Sequence, residues 1–212
     1  FPVIEHLAKC IFCGEVAEQV YVLAERAVDV CTSCLVRQEV QDVYEKKLPE
    51  LHELTATRRF DEAHQVLDTM RSQHGGRDRD GWLTRSIVAH KALLYLEQGE
   101  YGKALSAYQE WAQLGFAQPS ERVEHSLGRA RALVADHRAG EAVAALEATL
   151  ESLEPDLLPA SICLLEALAL SYAALNTPIP QRWYGVLLSA AQALNIELPN
   201  RERDAPPDRL IE

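Results

Sequence analysis

The segment KALLYLEQGEYGKALSAYQEWAQLG, Lys91 to Gly115, decides the fold. Its apolar residues recur at threes and fours on both sides of Gly99, which is helical spacing rather than the alternation of a strand. Gly99 punctuates the run, so the segment reads as helix, short turn, helix. In the second arm Ala104 stands three residues after Tyr101, and Tyr108 follows four later. A small residue where two antiparallel helices approach most closely lets their backbones come near. The larger residue one turn on fills the space beside it.

Two further segments carry the same pattern: LHELTATRRFDEAHQVLDTM, Leu51 to Met70, and RARALVADHRAGEAVAALEATL, Arg129 to Leu150. Their alanines are Ala63 and Ala142, and their bulky partners Leu67 and Leu146. The set resembles the tetratricopeptide repeat. The middle segment fits best, with Ala92, Tyr95, Gly99, Tyr101, Ala104 and Tyr108 at the family's signature spacing. The alanine-to-alanine steps are 41 and 38 residues, longer than the family's usual repeat of about 34. A long loop from Ser72 to Gly81 is expected to absorb the first excess. A fourth pair is expected near Ala160–Leu175 and Gln181–Leu194, although no alanine marks it. The resemblance covers residues 37–195.

Toward the N-terminus the pattern changes. Cys10-Ile-Phe-Cys13 is followed, after seventeen residues, by Cys31-Thr-Ser-Cys34. Two residues between cysteines let one tight turn offer both sulfurs to a single ion, and Zn2+ takes four thiolates in a tetrahedron. Gly14 relieves the crowding after the first pair. Tyr21–Leu23 and Val28–Val30 read as two short strands around a turn at Ala24–Ala27. A redox dithiol and an iron–sulfur cluster also use such cysteines. Two pairs without a βαβ pattern, at a spacing foreign to iron–sulfur motifs, favour zinc. Structural zinc contributes ~10–16 kcal/mol to small finger peptides. A shell filled by four protein ligands leaves no open catalytic position. These residues resemble the C4 zinc-binding domain of the ClpX unfoldase over residues 8–45, through Phe12, Gly14, Val30 and the apolar run after Cys34. That resemblance implies a module that dimerises or docks adaptors and substrates. No G-x-x-x-x-G-K-[ST] is present, so no ATPase engine follows.

The expected fold is mainly α: a small treble-clef or ribbon-like zinc domain over 1–45, then an α-solenoid of antiparallel helix pairs over 46–198. A flexible tail is expected over 199–212. Net charge is -11 and pI near 5.1, which disfavours nucleic acid and anionic membranes as partners. Residues 1–48 hold eight acidic against five basic residues, so a zinc-finger regulator of nucleic acid is the weaker alternative. No apolar run is long enough to span a membrane. The chain starts at Phe1, so its natural start is expected upstream. Few cysteines outside the cluster point to a reducing, cytoplasmic setting.

No catalytic constellation emerges. His52-Glu53 lacks the second histidine of a zinc-protease motif, because position 56 is Ala. Asp78 and Asp80 before Gly81 lack the remaining ligands of a calcium loop. Neither G-x-S-x-G nor G-x-G-x-x-G occurs. Cys163, inside ICLLEALAL, is expected to be a buried thiol. The remaining histidines are expected on the surface or at helix caps. Trp82, Trp111 and Trp183 are expected in the core. The repeat resemblance implies a concave face built from the first helix of each pair. On it would lie His52, Thr55, Ser86, Ala89, Leu93, Leu127, Arg131 and Val134. Ala89, Leu93 and Gly128 stand where the family's carboxylate clamp needs Lys, Asn or Arg, so that clamp is not expected. A non-enzymatic adaptor, chaperone or inhibitor is therefore expected, holding a protein, peptide or helix, with a possible homodimer through the zinc domain. A CxxC redox enzyme remains a further alternative.

Overall fold

The computed structural model describes residues 19–23, 26–30, 32–78, 81–152 and 158–186. The architecture is mainly helical. One hairpin, β1 (Gln19–Leu23) and β2 (Arg26–Val30), precedes α1 (Thr32–Ala56), α2 (Phe60–His74), α3 (Trp82–Gln98), α4 (Tyr101–Leu114), α5 (Pro119–Ala135), α6 (Ala139–Ser152) and α7 (Leu158–Ala174). Residues 181–186 form a further helical stretch. The strands pair antiparallel with Gln19 opposite Val30 and Leu23 opposite Arg26. The second strand thus takes in Arg26 and Ala27, which were expected in the turn. The chain divides into two compact units, Phe1–Ala117 and Gln118–Glu212. Helix α1 runs through position 45 without a break.

Four turns share one geometry. Arg58, Gly99, His137 and Asn176 take positive φ, at 57°, 78°, 60° and 53°. At each, two amides turn back onto the preceding helix. Arg58 N–H donates to Thr55 O at 3.0 Å and Arg59 N–H to Leu54 O at 2.8 Å. The corresponding pairs are Gly99 to Leu96 and Glu100 to Tyr95, His137 to Val134 and Arg138 to Leu133, and Asn176 to Ala173 and Thr177 to Tyr172. This is the Schellman motif, which satisfies orphan carbonyls at a helix end. At the first three turns the next residue also opens the following helix. Ala63, Ala104 and Ala142 donate their amides to the carbonyls of Arg59, Glu100 and Arg138. The three alanines of the sequence pattern are therefore one structural position, the fourth residue of the second helix.

Packing follows from that register. Ala63, Ala104 and Ala142 are fully buried, as are Leu67 and Leu146, with Tyr108 at 1%. In the first unit Val40, Tyr44, Leu51, Leu67, Leu83 and Ile87 belong to one cluster, with Trp82 packed against it. In the second, Leu133, Leu146, Leu164, Leu165 and Leu168 are buried. Trp111 and Trp183 are buried too, as expected.

Some expectations need correction. Helix α2 continues to His74 and a 3-10 turn follows over Gly75–Arg77, so ordered helix takes up much of the expected Ser72–Gly81 loop. Asp78 is a helix cap. Its carboxylate accepts from the amides of Leu83 at 2.9 Å and Thr84 at 2.7 Å, which satisfies two of the free donors at the start of α3. Cys163 is exposed rather than buried, because Ile162, Leu164, Leu165 and Leu168 of the same run take the core side of the helix. His125 is buried at 8% exposure rather than on the surface. The expected tail over 199–212 and the second half of the fourth pair beyond 186 lie outside the described residues.

Candidate functional site

Cys34 sits half-buried in the first turn of α1, while Cys10, Cys13 and Cys31 lie outside the described residues. What surrounds them fits a thiolate site in two respects. Val30, directly before Cys31, pairs across the hairpin with Gln19, so β1 and β2 fold back the seventeen-residue spacer between the two cysteine pairs. The first turn of α1 also carries no acidic residue. The positive dipole end of the helix favours anionic sulfur there.

The shared turn gives a common ruler for the first helices of the pairs. Six residues before each turn residue stand His52, Leu93, Arg131 and Leu170. All four are exposed, Leu93 at 42% and Leu170 at 62%. Ten residues before stand Leu48, Ala89, Leu127 and Glu166. The eight residues expected on this face are all outside the core. His52, Leu93 and Arg131 are exposed, and Thr55, Ser86, Ala89, Leu127 and Val134 are half-buried. His52, Thr55, Ser86, Ala89 and Leu93 belong to the first unit, and Leu127, Arg131 and Val134 to the second. Leu170, Glu166 and Cys163 are the members that sequence reasoning missed. The signal was Asn176, a residue type tolerant of positive φ, but Pro178-Ile179-Pro180 lengthens that turn and removes the marking alanine.

On α1 and α3 this face carries a polar cluster. The buried Tyr44 hydroxyl lies 2.6 Å from His90 Nδ1 and 3.4 Å from Ser86 O. The Tyr44 ring meets Trp82 edge-on at 5.3 Å and His90 at 5.7 Å. His52 stacks beside His90 at 6.3 Å with planes 23° apart. Burial, then the neighbouring His52, holds His90 below the usual histidine range, so the imidazole is neutral near pH 7. Burial likewise pushes the Tyr44 phenol up.

In the second unit Glu147 Oε1 accepts from Trp183 Nε1 at 2.7 Å, Tyr172 hydroxyl at 3.0 Å and Arg182 at 3.0 Å. Arg182 also covers the Trp183 ring at 4.8 Å. Burial opposes ionisation of Glu147, but those three donors outweigh it and hold the carboxyl below its ordinary range. This cluster fastens residues 181–186 to α6 and α7 and is structural. Among the described residues of the first unit lie two open grooves, of about 450 and 480 Å3. Ion pairs at their rims join Lys47 to Glu50, Arg59 to Glu62 and Lys103 to Glu100.

Comparison with known protein families, with curated proteins and with solved structures found no match to this chain. No described helix is long and apolar enough to cross a membrane.

Proposed function

We propose that this chain is a non-enzymatic interaction protein with two parts. A four-cysteine zinc module of Cys10, Cys13, Cys31 and Cys34 docks or dimerises. A tetratricopeptide-like array of helix pairs holds a peptide or helix of a protein partner on the face of its first helices. The reading rests on one observation above all: Leu93 and Leu170, both bulky and exposed, occupy the same helix position. Solvent-facing leucine at a repeated position suits burial against a partner better than hydration. In the first unit half-buried Ala89 adds apolar surface and His52 and Ser86 add polar groups; in the second, half-buried Leu127 and Val134 and exposed Arg131 do the same. Zn2+ would be held by the four sulfurs as a structural ion, fixing the N-terminal module.

The test is affinity capture with the full chain and with Leu93→Asp, Leu170→Asp and Cys31→Ser. Each Asp variant should lose captured protein at least tenfold while its circular dichroism stays that of the parent. Undiminished capture by both Asp variants would sink the face. Cys31→Ser should release zinc and leave the helices intact.

A further inference from the structure

We propose a second metal site, separate from the cysteine cluster, formed by His52 of α1 and His90 of α3. Its ligand class is a borderline-soft divalent ion, Zn2+, Ni2+ or Cu2+, for which imidazole is a suitable donor. The two rings lie near parallel at 6.3 Å. Two imidazoles that share one ion, each nitrogen about 2.0–2.1 Å from it, set their centroids roughly 5–6.5 Å apart. The observed spacing lies at the wide end of that range, so both rings must rotate about their side-chain bonds to turn one nitrogen each toward a shared ion.

The surroundings of His90 support the tautomer that ligation requires. When Nε2 gives its lone pair to a metal, Nδ1 carries the proton. That Nδ1–H donates to the Tyr44 hydroxyl oxygen, already 2.6 Å away. The hydroxyl's own proton then faces Ser86 O, which can only accept, at 3.4 Å. The chain from imidazole to hydroxyl to carbonyl leaves no group unpartnered. A fixed partner on the far ring nitrogen is what orients and tunes a metal-bound histidine. Tyr44 is buried and its ring is held by Trp82, so it acts as a positioning residue. Among the described residues, His90 Nε2 and the ring nitrogens of His52 engage no hydrogen-bond partner.

No third His, Cys, Asp or Glu joins the pair among the described residues. The ion would therefore keep open positions, filled by water or by a donor atom of whatever docks beside Leu93 and Ala89. Two imidazoles hold an ion far more weakly than four thiolates, so this site is readily emptied and filled.

The experiment uses the full chain with its cysteine cluster saturated by Zn2+, titrated with Ni2+. Equilibrium dialysis counts bound ions, and side-chain 15N NMR reads each histidine. The expected result is one Ni2+ per chain, with the His52 and His90 signals selectively broadened. His52→Ala, at an exposed position, should weaken binding at least tenfold without disturbing the fold, and His90→Ala should do the same. Tyr44→Phe should weaken it several-fold and shift the His90 tautomer ratio read from its 15N shifts. The proposal is overturned if the parent binds no Ni2+, or if Ni2+ binding survives both histidine substitutions unchanged. Cys31→Ser should abolish zinc at the cysteine cluster and leave the Ni2+ equivalent in place, which separates failure of this site from failure of the other.

Discussion

Arg58 and His137 hold a backbone conformation that L side chains resist, at φ 57° and 60°. The left-handed region costs such a residue roughly 1–2 kcal/mol, while glycine there gives back ~0.5–1 kcal/mol in unfolded-state entropy. Arg58→Gly and His137→Gly should therefore each stabilise their hairpin by about 0.5–1 kcal/mol. Gly99→Ala should destabilise by about 1 kcal/mol. Urea titration reads all three, and a loss of stability in both glycine variants would contradict the shared-turn account. The buried bulky residues set a larger scale. Leu67 and Leu146 are fully buried, so Leu67→Ala and Leu146→Ala should each cost about 2–5 kcal/mol through lost contacts and the cavity left behind. An effect below 1 kcal/mol would place these leucines outside the true core.

Elements are joined here by turns and by side-chain contacts between helices, such as Asp68 with Lys91 and the carboxylate of Glu147. The ion pairs Arg59–Glu62, Glu100–Lys103 and Arg138–Glu141 recur across the first three turns, with the charge order reversed in the second. Position, rather than residue identity, is what repeats. Glu147 works between elements. Its folded-state carboxyl lies below its usual value, so its contribution is complete above the unfolded value of about 4.3 and disappears as pH falls through the folded one. Acid titration of the parent should show this loss, and Glu147→Gln should flatten it. Glu147→Ala also strands the Trp183 and Tyr172 donors, at a cost of about 1–3 kcal/mol. An unchanged acid profile in Glu147→Gln would remove Glu147 from that role.

At the scale of the molecule, the proposed zinc module and the helices are expected to respond separately to chelation. On the proposed zinc reading, a strong chelator should draw out one Zn2+ and expose four reactive thiols, while the far-ultraviolet helical signal falls by less than about a tenth, since structural zinc would support only the segment that lacks a core of its own. Collapse of the whole helical signal would mean that the zinc supports the array as well. Much of the helical arrangement was legible in the chain. The threes-and-fours spacing, Ala63, Ala104 and Ala142, and Gly99 mark three helix pairs because close approach of helices tolerates few residue types. The fourth pair was harder to see. Its turn uses Asn176 and a proline-bearing link, so Leu170 could be placed only once the backbone gave the register.

The sequence alone determined the helical periods, the buried alanines and the cysteine spacing, because each depends on neighbours a few residues away. Only the tertiary structure decided that Arg58, Gly99, His137 and Asn176 are one position, that Tyr44 reaches His90, and that Glu147 gathers three donors. Those relations link residues that are tens of positions apart. Backbone closure and packing set them, and local residue preference carries no information about either.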